Sequence, residues 1–137
     1  MRFMMWGMAA FALGACAQAG EGNSASQPIS ESMAECAAIF EVTAISADDK
    51  GKPDRQITAM HEGAYAFRKA AVMRASQEGV ANPKAFVAAT YNAKRKKWGA
   101  RWLDSSDAAF ILDASENLDW VRYCGKMGKA HGVLPVW

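Results

Sequence analysis

The sequence predicts an all-α protein, a small antiparallel four-helix bundle with one disulfide linking the first and last helices. Three observations lead there. Apolar residues recur at helical rather than alternating spacing, with no convincing strand-like run. Ala is abundant while Val, Ile and Thr are sparse. Short polar connections separate four amphipathic stretches, and an up-down-up-down bundle is the simplest way to bury four such stripes. Composition narrows the classes further. With 16 basic and 14 acidic residues the net charge is +2, and 51% of the chain is hydrophobic. That excludes a disordered charged tail and a strongly basic nucleic-acid binder, and it favours one small globular domain over residues 29–137.

The first helix is predicted to start at Ser30 or Ser32, where Ser32 and Glu35 match a capping box, and to end near Ser46. Its apolar face is Met33, Cys36, Ala37, Phe40 and Ala44. The connection Asp48-Asp49-Lys50-Gly51-Lys52-Pro53 holds both strong helix breakers. A second helix follows from Asp54 to about Glu78, with Ile57, Met60, Ala64, Phe67 and Ala71 as its stripe and Gly79 as terminator. The third start is the clearest, because Asn82 can cap and Pro83 occupies the first helical position, where its missing N–H is harmless. Phe86, Thr90 and Ala93 mark one face, Val87, Tyr91 and Trp98 lie beside it, and the end falls at Arg101 or Trp102. The last helix begins at Asp104 or Ser105, presents Ile111, Ala114, Leu118, Val121 and Cys124, and frays near Gly125 and Gly128.

The N-terminal residues differ from all this. Arg2 precedes an uncharged apolar run from Phe3 to Leu13, too short to span a membrane and suited to a signal peptide over residues 1–15. Leu13-Gly14-Ala15-Cys16 resembles the lipobox of bacterial lipoproteins. The resemblance implies that Cys16 is the lipid-modified N-terminus of the mature chain, and that Ala17 after it favours the outer membrane. Ala17-Gln18-Ala19 offers a competing signal-cleavage pattern before Gly20, which would leave a free periplasmic or secreted protein. Residues 16–28 are rich in Gly, Ser, Ala and Gln and read as a flexible tether, spanning on the order of 20 Å.

Either cleavage accounts for Cys16, leaving Cys36 and Cys124 as an even pair in an exported domain, which reads as a structural disulfide. The Cys-x-x-Cys spacing of a redox pair is absent. In an antiparallel bundle the start of the first helix and the end of the last share a pole, so topology brings the same two residues together.

No catalytic constellation stands out. His61 and Glu62 begin a His-Glu-x-x-His pattern that fails at Tyr65, and no zinc-ligand spacing occurs elsewhere. Met33 and His131 share a pole and make a haem-binding bundle conceivable, but there is no Cys-x-x-Cys-His attachment and His131 follows Gly128. Hence no cofactor or metal is expected. The conspicuous segment is Lys94-Arg95-Lys96-Lys97-Trp98-Gly99-Ala100-Arg101-Trp102, five cations with two tryptophans. It can form a partner- or lipid-binding surface through Lys94, Arg95, Lys96, Lys97, Trp98, Arg101 and Trp102. It can equally be a solvated helix end whose cations face Asp104, Asp107 and Asp113 of the next helix. The apolar end from Gly132 to Trp137 either folds back over the bundle or is offered to a partner.

The expectation is a non-enzymatic cell-envelope lipoprotein: a helical binding or accessory module held to the membrane by a lipid, with a protein partner and no affinity for nucleic acid. The alternatives are a periplasmic or secreted inhibitor or immunity-type protein that blocks an enzyme, and a haem- or metal-binding bundle.

Overall fold

The computed structural model describes residues 27–103 and 107–135, without the side chains of residues 107–113. The lipobox-like segment with Cys16, most of the tether, and Val136 and Trp137 lie outside the described residues. Four helices follow one another, α1 (Ile29–Asp49), α2 (Asp54–Gln77), α3 (Pro83–Trp102) and α4 (Asp107–Ala130). They form the expected helical bundle, and Cys36 of α1 is bonded to Cys124 of α4.

The local signals at helix ends acted largely as anticipated. Asn82 caps α3 by accepting a hydrogen bond from the Ala85 N–H at 3.2 Å, with Pro83 at the first helical position. Gly79 takes the left-handed φ of +80° that closes the α2 end. The first start is different: α1 begins at Ile29 behind Pro28, with no side-chain cap. The Ser32–Glu35 capping box does not form, because α1 already starts at Ile29, the Ser32 N–H bonds the Pro28 carbonyl at 3.1 Å, and Glu35 is used elsewhere. Glu35 is drawn into the core by α3, and Ser30 is buried, donating through its N–H and its hydroxyl to the Glu78 carboxylate at the end of α2. Nor does α4 fray at Gly125 or Gly128; it runs to Ala130.

α1 is the axis of the molecule. The predicted single stripe is too narrow, because every residue from Met33 to Phe40 is buried, and Val42 and Ala44 follow. A helix apolar on all sides must be surrounded. α2 lies antiparallel on it, pairing Ser30 with Glu78 at one end and Glu41 with His61 toward the other. α4 runs antiparallel on another side, pairing Thr43 with Asn117 at 2.9 Å and Cys36 with Cys124. α3 brings Lys94 and Trp98 against Glu31 and Glu35.

The buried faces of the outer helices are rotated from some expected positions. On α2 the core residues are Gly63, Ala64, Phe67, Ala71 and Ala75, with Met60 only partly buried. On α3 they are Val87, Tyr91, Trp98 and Trp102, while Ala93 is exposed. On α4, Cys124 and Gly128 are buried and Trp120, Val121 and Met127 pack partly, whereas Leu118 is 54% exposed. The tryptophans explain the rotation: burying an indole removes more apolar area from water than burying Ala or Thr, so the faces turn to bring Trp98, Trp102 and Trp120 together.

The chain after α4 folds back. Gly132 reverses it at φ +68°, and Leu134 is buried beside Gly63 and Gly128. Both glycines are required by close approach, since a Cβ on Gly63 would fall 2.5 Å from the Phe40 ring and one on Gly128 would fall 2.6 Å from Leu134. Gly125 has open space in the same position. Gly63→Ala should therefore destabilise by about 1–2 kcal/mol despite its better helix propensity, while Gly125→Ala should stabilise by up to about 1 kcal/mol. Thermal unfolding of both variants checks the sign; a stabilised Gly63→Ala protein would show that α1 and α2 are not that close.

Candidate functional site

The basic segment of α3 is more internal than its composition suggests. Trp98 and Trp102 are 3% and 6% exposed and stack with ring centroids 4.5 Å apart, and Trp120 of α4 packs against Trp98 at 5.1 Å. Trp98 donates its indole N–H to Glu35 Oε1 at 3.0 Å. Trp102 donates to Glu116 at 3.4 Å. The indoles are thus part of the core, and a surface drawn from this segment consists of its cations.

Those cations are partly committed. Lys94 Nζ lies 3.2 Å from Glu35 and 3.8 Å from Glu31, Lys97 Nζ lies 3.6 Å from Glu35, and Arg101 pairs with Glu116. Among the described residues the acidic partners of Lys94 and Lys97 come from α1, 59 to 63 residues upstream; the side chains of Asp104, Asp107 and Asp113, the expected partners, lie outside the described residues. Arg95 and Lys96 are exposed. A charge reversal at Lys94, Lys96 and Lys97 would therefore remove the counter-ions of a buried carboxylate as well as change a surface.

The histidines are also placed. His61 Nδ1 is 3.0 Å from Glu41 on an exposed α1–α2 edge. Tyr91 is close by, with the Arg68 guanidinium 4.3 Å above its ring. Burial pushes the Tyr91 phenol above its ordinary value, Glu41 adds to the rise, and Arg68 and Arg95 oppose it. The raised folded value means that Tyr91 favours the fold below the unfolded value near 10 and ceases to as pH climbs through the folded one. Stability should fall on alkaline titration above about pH 10, and Tyr91→Phe should flatten that fall; an unchanged alkaline slope would remove Tyr91 as its source. His131 is exposed beyond α4, while Met33 is 4% exposed in the core. Among the described residues no cluster of three or more His, Cys, Asp or Glu is placed to hold a metal ion.

A concavity lies elsewhere, between the N-terminal half of α1 and α4. It is an open groove of about 1290 Å³. Ile29 and Cys36 from α1 and Trp120, Tyr123 and Met127 from α4 give it an apolar floor and wall, and the disulfide at Cys36 fixes its base. Polar groups run along it: Ser115, Glu116 and Asp119 toward one end, Ser32 and Glu35 on the α1 wall next to Cys36, and Gln27, Lys126 and His131 toward the other end. No motif announced this groove, because it is assembled from residues ninety apart; the available signal was the recurrence of Glu116, Trp120, Tyr123 and Met127 on one face of the last helix.

No protein-family model, curated protein or solved structure matches this chain. Among the described residues no helix is long and apolar enough to cross a membrane.

Proposed function

We propose that this protein is a non-enzymatic binding module of the bacterial cell envelope, tethered by a lipid on Cys16 and engaging its partner through the α1–α4 groove. The groove carries the reading. It is concave and apolar over most of its lining, with polar and charged side chains placed along it, the usual make-up of a binding site. The Cys36–Cys124 bond supports an oxidising compartment. The tether enters α1 at Ile29, beside the mouth of the groove, so a membrane-held module would keep that mouth near the bilayer.

Intact mass of the chain expressed with its own N-terminus in a bacterial host, before and after reduction and alkylation, tests the tether. The expected result is a chain starting at acylated Cys16, with two further thiols appearing only on reduction. A chain starting at Gly20 without lipid would overturn the membrane tether and favour a free periplasmic inhibitor.

A further inference from the structure

The groove is graded in charge along its length. The acids that line it already have cations: Arg101 for Glu116 and Arg122 for Asp119 at one end, and Lys94 and Lys97 for Glu35 on the α1 wall beside the disulfide. At the other end the balance is reversed. From Arg122 to His131, α4 carries Arg122, Lys126 and Lys129 and no acidic residue. Of these, Lys126 lines the groove together with His131, and no acidic partner faces Lys126 among the described residues. Across from them Gln27 has its side-chain amide nitrogen covered from solvent without a hydrogen-bond partner, an arrangement that buried polar groups ordinarily avoid. The same end receives the N-terminus of α1, whose dipole favours negative charge. Ile29 lies at this same end, and between the two ends lie Met127, Tyr123 and Trp120 of α4 with Glu35 and Cys36 of α1. From His131 to Glu116 the path along α4 is about 22 Å, at about 1.5 Å per residue.

We infer that the groove binds a single-chain anionic amphiphile, a long-chain carboxylate with its head at Lys126, His131 and Gln27 and its tail laid along Met127, Tyr123 and Trp120 toward Glu116. This inference rests on the groove being the binding site, and it adds the ligand class. Lys126 supplies the charge that the head requires, and the Gln27 amide gains the acceptor it lacks. A cationic head would meet Lys126 at one end and acids that already hold cations at the other.

The test uses the full chain with its disulfide intact and dodecanoate below its micelle concentration, titrated by calorimetry and by tryptophan fluorescence, since Trp120 lines the path. Saturable one-to-one binding is expected. Each fully buried methylene is worth about fourfold in affinity, so in an open groove dodecanoate should bind at least tenfold more tightly than octanoate. Dodecyltrimethylammonium, with the same tail and the opposite head, should bind at least tenfold more weakly. Lys126→Glu should weaken dodecanoate at least fivefold, and Tyr123→Asp should abolish saturation; both positions are exposed, and unchanged helicity confirms that each variant is folded. Equal affinity for the two heads, together with loss on Tyr123→Asp, would overturn the anionic ligand while leaving the groove as the binding site. Absence of binding by either amphiphile would overturn the ligand class. Binding to phosphatidylglycerol vesicles but not to dodecanoate would overturn a free carboxylate as the source. None of these outcomes depends on whether Cys16 carries a lipid.

Discussion

Replacing Cys36 and Cys124 by Ala should lower stability by about 4–5 kcal/mol, the loop-closure value for a bridge spanning 88 residues. Against a total stability of about 5–15 kcal/mol this is the largest single change available to the fold. Its effect should fall unevenly. α1 and α2 share an extensive core of Phe40, Ala64, Phe67, Ala71 and Ala75, with Phe40 and Phe67 in edge-to-face contact at 5.4 Å. Among its described side chains, from Ala114 on, α4 commits Cys124 and Gly128 fully, and Trp120, Val121 and Met127 only in part. Hydrogen exchange of the disulfide-free variant should therefore show α4 amides losing protection first, with those of α1 and α2 retained up to global unfolding. A loss below about 1 kcal/mol with uniform exchange would show that packing alone holds α4 in place. Because Cys36 also forms the base of the groove, release of α4 should abolish the groove as well.

The second large effect is expected at Glu35. Its side chain is 8% exposed and is the common acceptor for Trp98 Nε1, Lys94 and Lys97. Glu35→Ala leaves a buried indole N–H without an acceptor and removes the counter-charge from Lys94, a loss of about 3 kcal/mol. Glu35→Gln keeps an acceptor for the indole and should recover part of that loss. Denaturant midpoints of the two variants decide the matter, with Trp98 fluorescence reporting on the aromatic cluster. If Ala and Gln cost the same, the indole bond contributes nothing. If neither costs more than about 1 kcal/mol, the network behaves like an exposed ion pair, as Asp119–Arg122 should.

These predictions separate what was legible in the sequence from what was not. Helix existence and several boundaries were readable because their causes are local: Asn82-Pro83 starts α3, Gly79 closes α2, and a breaker-rich loop ends α1. The disulfide was readable because cysteine number and bundle topology indicate the same pair. Which face turns inward was harder, since it depends on partners far along the chain. Ser32 and Glu35 match a capping box, yet the acceptor that Trp98 needs lies 63 residues away at Glu35, and that longer-range demand prevails. The Lys94 to Trp102 segment looks superficial by charge, but its tryptophans stack in the core and two of its lysines serve that same carboxylate. One missed signal was present: from Met33 to Phe40 only Glu35 is polar, a run too apolar for a helix with an exposed side.

The all-round burial of α1 also sets an order of events. Synthesis proceeds from the N-terminus, so the most apolar helix of the domain is made first and stays uncovered until α2 and α3 have followed it. Cys36 then waits for Cys124, which arrives 88 residues later. A chain stopped after Leu103 would therefore display the α4-facing side of α1 as an apolar strip carrying the free thiol of Cys36. Closure of the bridge thus depends on the final helix, which brings Cys124 to the core last.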